Sequence, residues 1–104
     1  CNIFWIKNNI IYTSKEHSIL NGITRRCIIQ LCKINNIKIR TGNFSLKNLY
    51  NADSVFMTGT AAEIQLIKNI RKKKFNKKSE IIDLLKNEYE NIKKISPNLI
   101  KHLN

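Results

Sequence analysis

The chain has 104 residues, enough for one domain with a single core and no wide margin of stability. Ile, Asn and Lys, at 19, 15 and 15 residues, make up nearly half of it, a bias that A/T-rich codons alone can produce. Nineteen Lys and Arg against seven Asp and Glu give a formal charge of +12, yet Lys outnumbers Arg 15 to 4; because Arg is the residue that reads phosphate and base edges in fixed geometry, the balance argues against a dedicated nucleic-acid reader.

In chain order, "NIFWIK" and "IIYT" are two β-rich runs about Asn8-Asn9, the pattern of a hairpin with a tight turn. "TSKEHSILNG" reads as a loop. From Ile23 to Ile34, Cys27, Ile28, Leu31 and Cys32 recur at helical spacing, with Gly22 before the run and Asn35-Asn36 where a C-cap belongs. "IKIRTGNF" alternates as a strand does, and Ser45 is placed to cap a short helix, "LKNLYNA". "SVFMT" and "EIQLIKNI" read as strands on either side of a run of small residues. "RKKKFNKK", six basic residues in eight with one aromatic, reads as a solvated connector rather than a stacking platform. The last helix spans about Glu80 to Ile95, with Ile82, Leu85, Tyr89 and Ile92 on one face, Ser79 as N-cap and Pro97 beyond its end. The expected order is ββαβαββα, a mixed α/β domain over 1–104 without repeat or linker.

The cysteines are three, Cys1, Cys27 and Cys32, with no CxxC and no nearby pair of histidines. Neither a disulfide framework nor a metal site is expected. Cys27 and Cys32 belong on an apolar helix face, and His17 and His102 lie in polar surroundings. No apolar run approaches the ~20 residues of a membrane-spanning helix, and a reducing cytosolic or organellar compartment is expected. Residue 1 is Cys, and a strand-like run is under way by residue 3, so the chain is expected to start in mid-domain.

Two patches could hold an anion. In "LNGITR", a glycine directly precedes a helix, whose first N–H groups are free and sit at the positive end of the dipole; Thr24 adds a hydroxyl. In "MTGTAAE", Gly59 permits unusual backbone angles, Thr58 and Thr60 supply hydroxyls, and Ala61 and Ala62 leave N–H groups accessible. Each patch also has a plain reading, as a loop-to-helix junction and as a tight connection between strands.

Taken together, "NIFWIKNNIIYT", "SILNGITRRCIIQLCKINNIKI" and "SLKNLYNADSVFMTGTAAEI" resemble the C-terminal domain of the branched-chain amino acid aminotransferases, pyridoxal-phosphate enzymes of fold-type IV. The likeness runs from residue 2 to about residue 67, and the pairing of "GITR" with "ADSVFMTGTAAE" is its most specific feature. The resemblance implies an enzyme that moves an amino group between Leu, Ile or Val and 2-oxoglutarate. It implies that the N–H groups of Ile23 and Thr24 and the Thr24 hydroxyl hold the cofactor phosphate, with Gly59 and Thr60 opposite. The N–H groups of Thr60 and Ala61 would meet the substrate carboxylate, and Leu20 would pack on the pyridine ring. It further implies a homo-oligomer when complete, and an N-terminal part that carries the cofactor-bearing lysine, so that no catalytic residue is expected within 1–104. The sequence departs from the family at Asn21, where Pro is usual, at Gln65-Leu66, where Thr-Pro is usual, and at "RKKKFNKK", which replaces a glycine-rich segment. The competing readings are another fold-type IV enzyme, a D-amino acid aminotransferase or aminodeoxychorismate lyase, and a small basic nucleic-acid-binding protein.

Overall fold

The computed structural model describes residues 2–15, 23–58, 64–75 and 77–95. Strands β1 (Asn2–Lys7) and β2 (Ile10–Ser14) form the expected hairpin. Asn8 and Asn9 sit at φ 52° and 62°, the left-handed pair that a two-residue hairpin turn requires and that Asn tolerates. Helix α1 (Ile23–Ile34) ends as its sequence suggests: Asn36 adopts φ 57°, and Asn35 Nδ2 donates to the Leu31 carbonyl at 2.8 Å. Then come β3 (Ile39–Gly42), the short α2 (Leu46–Tyr50) and β4 (Ser54–Thr58). Ser45 enters α2, its N–H donating to Asn48 Oδ1 at 3.0 Å. After β5 (Ile64–Ile67), helix α3 (Glu80–Ile95) is capped by Ser79, whose Oγ accepts the Ile82 N–H at 3.2 Å.

The mixed α/β class holds, but the order ββαβαββα misses two strands. "EIQLIKNI" breaks at Lys68 into β5 and β6 (Asn69–Ile70), and β6 pairs antiparallel with β7 (Lys73–Lys74) around Arg71 at φ 53°. The basic run is therefore a small hairpin rather than a plain connector. Phe75 is the reason: it is 5% exposed within a core cluster, and its N–H donates to the Lys68 carbonyl at 2.7 Å. The neighbouring basic side chains, Arg71 to Lys74, stay in solvent as expected.

The main sheet has the order β3-β2-β1-β4-β5. β2 and β4 flank β1, each antiparallel to it, while β2 and β3 are parallel and joined through α1. Alternation along each strand gives the sheet two buried faces. One carries Phe4, Ile6, Ile11, Phe56 and Ile64 against Cys27, Ile28, Leu31 and Cys32 of α1 and Ile82, Leu85 and Tyr89 of α3. The other carries Trp5 and Val55 with Ala52 and Phe75, and Tyr12, Phe44 and Leu49 pack beside them. The charge on the basic hairpin adds little to this packing, since exposed charges contribute little to stability. Phe75→Ala is expected to destabilise the domain by about 3 kcal/mol, whereas Lys72, Lys73 and Lys74 changed together to Gln should stay within about 0.5 kcal/mol. Urea unfolding midpoints measure both, and a larger loss from the lysines than from Phe75 would reverse this account of the hairpin.

Asp53 ties three segments together. Its Oδ2 accepts the Asn8 N–H at 3.1 Å, and its Oδ1 lies 3.6 Å from Lys7 Nζ and 3.8 Å from Lys77 Nζ. Burial pushes its carboxyl up, but the Asn8 N–H and the ammonium groups of Lys7 and Lys77 outweigh that and hold it below its ordinary value. A carboxyl with a depressed folded pKa stabilises the fold above its unfolded pKa of about 3.9, and the contribution is lost as pH falls through the lower folded value. Asp53→Asn is expected to lower the unfolding free energy by up to about 1 kcal/mol at neutral pH and by nothing measurable in strong acid. A difference that survives in strong acid would assign the effect to packing instead of charge.

Candidate functional site

The segments with the two candidate anion patches follow β2 and β4 in the chain. Because both strands run antiparallel to β1 and flank it, their C-terminal ends emerge at the same end of the sheet. One loop leads into the head of α1. The other, residues 59–63, joins β4 to β5, whose register sets Thr58 opposite Ile64.

At the head of α1, Ile23 is the first helical residue and Thr24 lies in the first turn. No acidic side chain stands in that turn, and Arg25 and Arg26 follow Thr24. The start of a helix presents backbone N–H groups at the positive end of its dipole, and with the Thr24 hydroxyl beside them it is the kind of donor set that suits a phosphate. Thr24 is 5% exposed, and its Oγ1 lies 3.1 Å from the hydroxyl of Tyr89, a residue 1% exposed. Leu20, Gly59, Thr60 and Ala61 lie outside the described residues, as does His17; of Ile23 only the backbone is described.

Arg25 fixes the helix head to the sheet. It is 4% exposed; Nη1 donates to Thr13 Oγ1 at 2.9 Å and Nη2 to the Ser14 carbonyl at 3.1 Å. Thr13 Oγ1 in turn donates to the Ile3 carbonyl at 2.9 Å, and the guanidinium lies 5.8 Å from the centroid of Phe4. The chain of contacts runs from α1 through β2 to β1, so the angle at which Thr24 is presented follows from the hairpin.

Tyr89 and Ile64, the residue that follows the 59–63 turn, line one cavity of about 320 Å³ with Lys86 and Glu90. Tyr89 is thus within hydrogen-bond distance of Thr24 and shares a cavity with Ile64, the first described residue after β4. Reading by periodicity placed Tyr89 in the core, which it is, but did not give its hydroxyl a task. The available signal was a tyrosine on an otherwise aliphatic helix face, since a buried phenol requires a partner.

Cys27 and Cys32 are buried free thiols, 1% and 0% exposed. Burial raises the pKa of both, that of Cys32 to about 11, so they pack rather than react. Among the described residues no group of His, Cys, Asp and Glu could hold a metal ion, and no helix is long and apolar enough to cross a membrane.

Known proteins give the arrangement a family. The family model for class IV amino-transferases matches residues 1–70. The branched-chain-amino-acid aminotransferase of Salmonella typhimurium is 43% identical over 70 residues, 66% of this chain and 23% of that protein. Among solved structures, the branched-chain amino acid aminotransferase from Escherichia coli has a TM-score of 0.79 at 31% identity, covering 88% of this chain and 32% of its own. A Legionella pneumophila protein described as a 4-amino-4-deoxychorismate lyase has a TM-score of 0.80 at 32% identity, over 86% of this chain and 34% of its own. Another branched-chain amino acid aminotransferase, solved with pyridoxamine 5'-phosphate, has a TM-score of 0.77 at 33% identity, over 86% of this chain and 30% of its own. The chain spans about a third of the length of its relatives from Rickettsia bellii and Methanocaldococcus jannaschii. With two thirds of its length within the family model, the chain belongs to the class IV amino-transferases.

Proposed function

We propose that this chain forms the cofactor-phosphate end of a branched-chain amino acid aminotransferase, which moves an amino group between Leu, Ile or Val and 2-oxoglutarate with pyridoxal phosphate. One observation carries the reading: β2, which precedes the α1 head, and β4, which precedes residues 59–63, end at the same end of the sheet on either side of β1, and Tyr89 contacts Thr24 there. Two anion-binding patches so placed suit a phosphate and a carboxylate held close together.

In this reading the N–H groups of Ile23 and Thr24 and the Thr24 hydroxyl receive the phosphate at the positive end of α1. Gly59 and Thr60 close on it from the turn, the N–H groups of Thr60 and Ala61 receive the substrate carboxylate, and Leu20 lies against the ring. The small side chains of the turn let two anions approach main chain. When bound, the cofactor supplies an electron sink for the bond broken at the substrate's α-carbon. The part of this chain is to orient: it fixes phosphate and carboxylate, and with them the face of the substrate that reacts. The buried, free thiols suit a reducing compartment such as the cytosol.

In the full-length protein, Thr60→Val keeps the side chain's shape and removes one donor to a charged group, worth about 1.5–3 kcal/mol, so cofactor affinity should fall roughly ten- to a hundredfold. Ala61→Pro deletes the N–H offered to the substrate, so KM for leucine should rise with the cofactor retained. Cofactor loss from Ala61→Pro would mean the two anions are assigned to the wrong parts of the turn. Turnover of aminodeoxychorismate in place of leucine would move the assignment to the lyases, whose fold this chain shares.

The 104-residue chain itself gives a second test. None of its lysines stands in the context of the family's cofactor-bearing lysine. Incubation with pyridoxal phosphate, borohydride reduction and peptide mapping should therefore give scattered, low-level labels, led by exposed Lys72, Lys73 and Lys74. Stoichiometric labelling of one lysine, with turnover of leucine, would show that the chain carries its own catalytic group.

A further inference from the structure

We propose that Tyr89 is a positioning residue for the cofactor phosphate: its phenol donates to the Thr24 hydroxyl and so turns the single Thr24 proton toward the anion. The inference rests on the reading of Thr24 as a phosphate ligand.

The pair is largely buried. Thr24 Oγ1 and the Tyr89 hydroxyl are 3.1 Å apart, the residues are 5% and 1% exposed, and they stand 65 positions apart in sequence. Two hydroxyls hold two protons, and only one proton can lie between them. If Thr24 donates to Tyr89, its oxygen has only lone pairs left to offer, and these would meet a phosphate oxygen with repulsion. If Tyr89 donates, Thr24 accepts and keeps its own proton for the phosphate.

Three features select the second arrangement. A phosphate offers acceptor oxygens, so it rewards whichever hydroxyl orientation presents a donor. A phenol is a better donor and a poorer acceptor than an aliphatic alcohol. Lys93 Nζ, held 2.8 Å from Glu90 Oε1, lies 5.1 Å from the centroid of the Tyr89 ring and draws electron density from it in the same sense. A hydroxyl that accepts one hydrogen bond donates a stronger one, so the order Tyr89 to Thr24 to phosphate is cooperative. Helix α3, which supplies no ligand of its own in the family reading, would thereby act on the phosphate through one oxygen atom.

The test is a double-mutant cycle in the full-length holoenzyme with Thr24→Val, Tyr89→Phe and the pair. Dissociation constants are measured for pyridoxal phosphate and for pyridoxal, which lacks the phosphate, together with the phosphorus-31 shift of the bound cofactor. Tyr89→Phe keeps the ring and is expected to weaken pyridoxal phosphate about three- to tenfold, to leave pyridoxal unchanged and to move the phosphorus resonance. In the Thr24→Val background the same change should have no further effect, whereas in a Thr24→Ser background, which keeps the hydroxyl, the sensitivity should persist. Equal weakening of both ligands, or the same loss with and without the Thr24 hydroxyl, would reduce Tyr89 to a packing residue and overturn the inference. So would an effect of Thr24→Val with none of Tyr89→Phe, and that outcome would leave the phosphate reading standing. No effect of Thr24→Val on pyridoxal phosphate would remove Thr24 from the site, and the inference with it.

Discussion

The register between β1 and β4 is the constraint on which the rest depends. It sets Phe4 opposite Phe56, with ring centroids 4.9 Å apart and planes 4° from parallel, both rings fully buried. A slip of one residue would turn Phe4 and Ile6 to the face that Trp5 occupies and send Trp5 toward α1 and α3. It would also move Thr58 away from Asn2 on one side or Ile64 on the other, and so shift the 59–63 turn relative to the α1 head. The same Phe4 ring carries the Arg25 guanidinium on the edge of this cluster. Packing in the middle of the sheet and the geometry at its end are one arrangement.

The second face explains how so short a chain buries both sides of a sheet. Trp5, Tyr12 and Phe44 form a triangle of rings, with centroid separations of 5.3 to 6.1 Å, and two of its contacts are edge-to-face. α2 and the β6-β7 hairpin cover this side through Leu49, Ala52, Phe75 and Ile70. The basic hairpin is thus a lid whose outer surface is free to vary. Its exposed lysines contribute little to packing, so the sequence of that surface is loosely constrained by the fold.

What the sequence made legible follows the same division. Helices α1 and α3 were readable end to end because their apolar period and their caps, Asn35-Asn36 and Ser79, agree with each other. The first hairpin was readable because Asn-Asn suits two consecutive positive φ values. The break at Lys68 was not, since "EIQLIKNI" carries no Gly or Pro to mark it. Phe75 was hidden for a related reason: one aromatic among lysines has no period, and only contacts with Trp5 and Val55 show it to be core. At the site, local pattern placed Thr24 at a helix head, but its partner is 65 residues away and no spacing rule reaches that far.

The buried polar residues are informative in their placement. Those among the described residues are Thr13, Thr24, Arg25, Ser54 and Thr58. Ser54 lies at the start of β4, where its hydroxyl donates to the Lys77 carbonyl. The other four cluster where β2 and β4 end and α1 begins. Burying a hydroxyl or a guanidinium costs free energy unless its hydrogen bonds are remade, and a domain of this size has little stability to spare. A core built for stability alone would fill that end of the sheet with aliphatic side chains, as it does opposite Cys27 and Ile28. Instead the polar groups there are held in fixed orientation, Arg25 against Thr13 and Thr24 against Tyr89. Hydroxyls fixed in this way cost no reorganisation when a charged ligand arrives, which is the condition under which weak individual donors hold an anion well.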